Sequence, residues 1–118
     1  MRIAIFGCGQ LARMLALAGW PMGIRFSFVA NDSEDTRCVD GLGTIVRLQD
    51  TMSARSIFMA LGEPDVIAVE REAVDTTLLR QLAHFCKIAP DPEILWVAQN
   101  RARQKSFLVE HGIPVAPF

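Results

Sequence analysis

The run Arg2-Ile3-Ala4-Ile5-Phe6-Gly7-Cys8-Gly9-Gln10-Leu11-Ala12-Arg13-Met14-Leu15 changes period at its glycines. Before them, Arg2 to Phe6 is short and apolar, with β-branched Ile3 and Ile5, and reads as a buried strand. After them, Leu11, Met14, Leu15 and Ala18 recur at helical spacing within Gln10 to Ala18 and share the expected apolar face. The junction is G-x-G-x-x-A. Gly7 permits a tight turn, Gly9 lets a ligand approach bare backbone, and Ala12 lets the helix pack close to a sheet. Free N–H groups at the start of such a helix favour an anion, commonly a phosphate.

The same alternation continues outward from this run. Gly19 and Pro21 stop the first helix, and Ile24 to Val29 reads as a second strand. Asn31 to Gly43 is polar, with one helical turn near Cys38, and Thr44 to Leu48 is a third strand. Ser53 can cap a helix to Leu61, which Gly62 ends. Asp65 to Val69 and Lys87 to Ala89 read as strands around a helix from Thr76 to Phe85, with Leu78, Leu79, Leu82 and Phe85 inward. Asp91-Pro92-Glu93 is a helix start, and Asn100 caps another helix reaching Glu110, which Gly112 ends. The tail from Ile113 to Phe118 is expected to be extended, because residues before proline avoid the helical region. Strands alternating with helices predict an α/β, Rossmann-like open parallel sheet with helices on both faces. The expected division is a Rossmann-like domain over residues 1–90 and a helical segment and linker over 91–118.

Composition bounds the function classes. The chain has 118 residues, 51% of them hydrophobic, and a net charge of -1. That balance excludes a strongly basic nucleic-acid binder and gives no reason to expect a membrane surface. The apolar start is too short and too soon interrupted for a signal peptide, so a cytoplasmic protein is expected. Cys8, Cys38 and Cys86 are odd in number and widely spaced, which speaks for buried or half-buried reduced thiols rather than a disulfide framework. His84, Cys86 and His111 are too few for a structural zinc site, so no metal ligand is assigned. Trp20, Trp96 and the methionines read as core or covered interface.

A dinucleotide site would require an acid roughly 20 residues beyond the glycines to hold a ribose. Asp32 is at a tolerable distance, but Ala30 and Asn31 stand nearer the end of the second strand. The fit to a nicotinamide dinucleotide is therefore partial, and no NAD is expected.

Five collinear segments carry a more specific signal. Gly7-Cys8-Gly9-Gln10-Leu11-Ala12-Arg13-Met14-Leu15 resembles the G-G-G-Q-L-G-R-M-L opening of the 5-(carboxyamino)imidazole ribonucleotide synthetase family, also called the ATPase subunit of phosphoribosylaminoimidazole carboxylase. Pro21-Met22-Gly23-Ile24 is similar to its P-L-G-I, and Val69-Glu70-Arg71-Glu72 to its Y-E-F-E or A-E-I-E. Gln99-Asn100-Arg101, followed by Lys105 and Phe107-Leu108, resembles its Q-D-R or A-D-R with the following K and F-L. Gly112-Ile113-Pro114-Val115-Ala116-Pro117-Phe118 is close to G-I-P-T-A-P-F. Departures are Ala12 for the third glycine, Val29-Ala30-Asn31 for L-D-P, Ala73 for an asparagine, and Asn100 for an aspartate.

The resemblance implies the N-terminal domain of an ATP-dependent ligase of de novo purine biosynthesis. That ligase joins bicarbonate to the amine of aminoimidazole ribonucleotide. By the same resemblance Gly9, Gln10, Leu11 and Glu70 contact the ribonucleotide and Arg101 contacts ATP. ATP and Mg²⁺ would be held mainly by an ATP-grasp domain that follows in the family, so no catalytic residue is assigned here and the chain alone is expected to be inactive. Glu72 reads as a surface charge, Arg13 as a solvated or salt-bridged arginine, and Lys105 as part of a basic helix face. Homodimerisation stays open. Two other readings also remain: a small NAD-binding domain of an oxidoreductase or redox-sensing regulator, and a non-catalytic nucleotide-sensing or interaction module.

Overall fold

In the computed structural model, which describes residues 1–117, the predicted alternation is realised element by element. The order is β1 (Arg2–Phe6), α1 (Gln10–Gly19), β2 (Arg25–Ala30), β3 (Gly43–Arg47), α2 (Ala54–Ala60), β4 (Val66–Val69), α3 (Thr76–Leu82), β5 (Lys87–Ala89), α4 (Pro92–Ala98) and α5 (Arg101–Glu110). Short 3₁₀ turns occur at Trp20–Met22 and Arg37–Val39, the latter where a turn near Cys38 is expected. The tail is without regular structure to Pro117. The expectation for its last residue, Phe118, lies outside the described residues.

The five strands are all parallel, in the order β3-β2-β1-β4-β5. Parallel neighbours cannot be joined by tight turns, so each crossover must travel over a face of the sheet. From β1 the chain moves toward β2 and β3, and from β4 it moves the other way, toward β5. The order therefore reverses between β1 and β4, and in such sheets ligands bind outside the strand ends at that reversal.

Side-chain alternation splits the core into two layers. Ala4, Phe6, Val29 and Ile67 face α2 and α3, where Ile57, Leu61, Leu79 and Leu82 are buried against them. Leu95 of α4 belongs to the same layer, so the segment after residue 90 begins packed on the domain. Ile5, Phe26 and Phe28 face α1, where they meet Ala12 and Ala16. Buried Ser27 donates its hydroxyl to the Leu61 carbonyl at 2.9 Å. The predicted caps Ser53, Asp91 and Asn100 each accept a backbone N–H from the first turn of the following helix, and Asp75, which was not predicted, caps α3 in the same way.

Two packing expectations are corrected, and a third is narrowed. The inward face of α1 is Ala12, Ala16 and Gly19, whereas Leu11, Met14 and Leu15 point outward, Met14 being 61% exposed. Only small side chains allow the helix to approach a sheet whose own residues include Phe26 and Phe28, so the spacing of the small residues, not the large ones, marks the buried stripe. The third helix ends at Leu82, and Phe85 is exposed and stacked on Phe58 rather than buried. Trp20, Trp96, Met1, Met14, Met22 and Met59 are exposed, so of the two readings expected for them, core or covered interface, the core reading does not hold.

Ala16→Leu should therefore destabilise the protein by about 1–3 kcal/mol through overpacking. Met14→Ser should stay within about 0.5 kcal/mol of wild type. Urea midpoints of the two variants check this, and the reverse ranking would restore the large-residue face.

Candidate functional site

The C-terminal ends of β1, β2 and β4 bring together the Gly7–Gly9 turn, Asn31 to Glu34, and Glu70 to Glu72. The parallel ladder runs into this edge: Gly7 donates its N–H to the Val29 carbonyl at 3.2 Å, and Glu70 donates to the Phe6 carbonyl at 3.4 Å.

Gly7 and Glu70 are coupled sterically. Gly7 has φ +142°, and a β-carbon there would overlap the Glu70 carboxylate. The Glu70 side chain thus lies directly over the Gly7 backbone, at the reversal in strand order. Gly9 is different. Its φ of -93° and ψ of -161° suit any residue, and a β-carbon would meet nothing within 4 Å. Among the described residues nothing but its chain neighbours lies within 4 Å of where a Gly9 side chain would begin. Helix α1 starts there without a side-chain cap and with no acid in its first turn. Gln10 and Leu11 are exposed beside it. Four sequence-predicted residues, Gly9, Gln10, Leu11 and Glu70, therefore share one edge.

A largely buried carboxylate at this edge is one that no sequence motif singles out. Glu34 accepts the Cys8 N–H at 3.0 Å and the Asn31 N–H at 3.0 Å, and Arg71 donates to it at 2.7 Å. Its side chain is only 16% exposed. Burial pushes the carboxyl up, but the Arg71 guanidinium and the two backbone N–H groups outweigh that and hold it below its ordinary value. Arg47 supports the same loop by donating to the carbonyls of Asn31, Asp32 and Glu34. The available signal was Arg71 itself, which stands between the glutamates where the resembling motif has an apolar residue. Cys8 is buried beneath this cluster, and burial, then the Glu34 charge, raises its thiol pKa to about 11. Cys38 and Cys86 are half-buried.

The remaining predicted residues fall outside this cluster. Arg13 donates to the Cys38 carbonyl at 3.1 Å and ties α1 to the loop after β2. Arg101 is exposed on the first turn of α5. Its anchor is Gln99, which donates to the Glu72 and Val74 carbonyls at 2.7 Å each and so fastens the start of α5 to the loop after β4. Glu72 is exposed, and with Ala73, Val74 and Gln99 it lines a shallow hollow. Lys105 reaches the carbonyls of Ala116 and Pro117. Among the described residues no three His, Cys, Asp or Glu side chains converge as a metal site. Among them, too, no helix is long and apolar enough to cross a membrane.

The model of the ribonucleotide synthetase preATP-grasp domain matches residues 1–99. The chain belongs to this preATP-grasp family. The N5-carboxyaminoimidazole ribonucleotide synthase of Pseudomonas aeruginosa is 35% identical over 118 residues, which cover 100% of this chain and 32% of that protein. The N5-carboxyaminoimidazole ribonucleotide synthetase structure from Thermus thermophilus superposes with a TM-score of 0.82 at 32% identity, covering 98% of this chain and 31% of that one. The synthase structure from Aspergillus clavatus in complex with ADP and 5-aminoimidazole ribonucleotide gives 0.78 at 27% identity, covering 98% and 31%. This preATP-grasp chain thus spans about a third of the length of the relatives it matches.

Two outcomes follow from the preATP-grasp edge. Because the folded carboxyl of Glu34 titrates below its ordinary 4.5, its contribution is complete above that pH and is lost as pH falls through the lowered value. Glu34→Gln should cost about 1.5–3 kcal/mol at neutral pH, and the gap to wild type should narrow on acidification. Denaturant midpoints at neutral and acid pH measure both. Cys8 should be the last of the three thiols alkylated by iodoacetamide at neutral pH, as mass-mapped time courses would record.

Proposed function

We propose that the chain is the ribonucleotide-binding part of an ATP-dependent ligase that carboxylates 5-aminoimidazole ribonucleotide with bicarbonate in purine biosynthesis. The observation that carries the reading is the Gly7–Glu70 contact beside open Gly9, at the sheet edge of a chain whose relatives include a synthase solved with that ribonucleotide. Glu70 supplies a carboxylate that accepts hydrogen bonds from an amine or ribose hydroxyls. Gly9, Gln10 and Leu11 supply backbone and amide donors, with no β-carbon in the way at Gly9.

In the proposed reaction bicarbonate takes the terminal phosphoryl group of ATP. The ribonucleotide amine then attacks the resulting carboxyphosphate carbon and phosphate leaves. Phosphoryl transfer needs a metal and several converging donors. This chain offers Arg101, anchored through Gln99, toward ATP, while Mg²⁺ and the phosphate clamp are assigned to the two-thirds of the relatives outside the match. Residues 91–118 serve as the lead into that region. Exposed Ile94 and Trp96 on α4, with Arg103 stacked 3.9 Å over the Trp96 ring, offer it an apolar and cationic face. Three free thiols suit a reducing cytoplasm.

The test mixes this chain with the remaining region of the Pseudomonas relative, supplied separately. Ribonucleotide-dependent ATP turnover is expected only in the mixture, and Glu70→Ala should lower it by about 5- to 150-fold, as loss of a good polar contact does. Turnover by the chain alone, or full activity with Glu70→Ala, would overturn these roles.

A further inference from the structure

The glycine turn has two flanks, and they differ in chemistry. On the β4 flank Glu70 lies over Gly7 and the space above Gly9 is open. On the β2 flank the Cys8 N–H, the Asn31 N–H and the Arg71 guanidinium converge on one carboxylate, that of Glu34. In a dinucleotide-binding sheet this flank is where the ligand's own oxygens go. The pyrophosphate crosses the glycine turn and the ribose reaches an acid at the end of the second strand. Here the Cys8 amide of the turn and the Asn31 amide at the end of the second strand are already bonded to Glu34.

We propose that Glu34 is a built-in anion that closes the β2 flank of the glycine turn and sets its specificity. A dinucleotide or free pyrophosphate is refused there, and a ligand enters from the Glu70 flank alone. Three observations support this. The donors are complementary to an oxyanion: two backbone N–H groups from different strand ends and one guanidinium, all within 3.0 Å of the same carboxylate. The carboxylate is fixed in place, because Arg47 holds the loop backbone around it through three carbonyls. Arg71 also keeps a buried Nε with no hydrogen-bond partner among the described residues, so its donors are not exhausted by Glu34. Removing the carboxylate would leave a positive, donor-rich seat of the right chemistry for a phosphate.

The pyrophosphate arm of the test stands independently of the ribonucleotide reading; the entry route rests on it. The isotopically labelled chain is titrated with inorganic pyrophosphate and with NADH while backbone amides are followed by NMR. Wild type should show no saturable shift at Cys8 or Asn31 with either probe. Glu34→Ala should gain saturable pyrophosphate binding at those two amides, about tenfold or more tighter than wild type. Adding Arg71→Met should remove the gain. Should Glu34→Ala fail to fold, Glu34→Gln decides the matter, since it keeps the side-chain shape while dropping the charge and should show a smaller gain at the same amides. Saturable pyrophosphate shifts at Cys8 and Asn31 in wild type would overturn the proposal. So would folded variants that bind pyrophosphate no better than wild type. Aminoimidazole ribonucleotide should shift Gly9 and Glu70 in wild type and leave Asn31 unmoved, and a shift centred on Asn31 would overturn the entry route. If the ribonucleotide binds nowhere, the ligase reading fails, while the pyrophosphate result still decides whether Glu34 closes the flank.

Discussion

The constraint on which the site depends is the absence of a β-carbon at Gly7. The chain must leave β1 and turn into α1 where the strand order reverses, and it does so at φ +142°. A side chain there would collide with Glu70, which arrives from the neighbouring strand β4. The glycine therefore has two separate reasons to be glycine: a backbone angle that L-residues avoid and a neighbour that occupies their space. Because β1 and β4 are parallel and in register through Phe6 and Val69, the next residues on each strand, Gly7 and Glu70, are brought side by side. The juxtaposition is a property of the ladder as much as of either residue.

Electrostatics then organises what sterics places. A largely buried carboxylate is costly unless its lone pairs are used. Glu34 meets that demand with donors from three segments distant in sequence: the β1–α1 turn, the end of β2 and the residue after Glu70. One side chain thereby fixes the relative positions of three loops that would otherwise be independent. The same charge, added to burial, keeps the Cys8 thiol protonated, so the cysteine inside the glycine turn acts as a small apolar residue.

Large apolar residues stand exposed on α1 and α4, Leu11, Met14 and Leu15 on the first and Ile94 and Trp96 on the second. Relatives that match over the whole of this chain devote only about a third of their length to it. Gln99 fastens the start of α5 to the sheet domain through two short hydrogen bonds to the loop carrying Glu72 and Val74.

Sequence alone determined the element order, the parallel sheet, the helix caps and the edge on which Gly9, Gln10, Leu11 and Glu70 meet. Those features rest on local rules, namely hydrophobic period, capping chemistry and the need for a crossover between parallel strands. The five motif segments, being collinear, also pointed to the family that the comparisons establish. Tertiary structure alone decided which face of α1 is buried, because the period of Leu11, Met14 and Leu15 is as helical as that of Ala12, Ala16 and Gly19. Only the bulk of Phe26 and Phe28 opposite selects the small stripe. It alone decided Phe85, which lies beyond the end of α3. And it alone disclosed Glu34, an unremarkable acid in a polar loop, whose partners Cys8 and Arg71 are 26 and 37 residues away. Pairings at that range leave no periodic trace, since they are set by which strand ends the sheet topology makes adjacent.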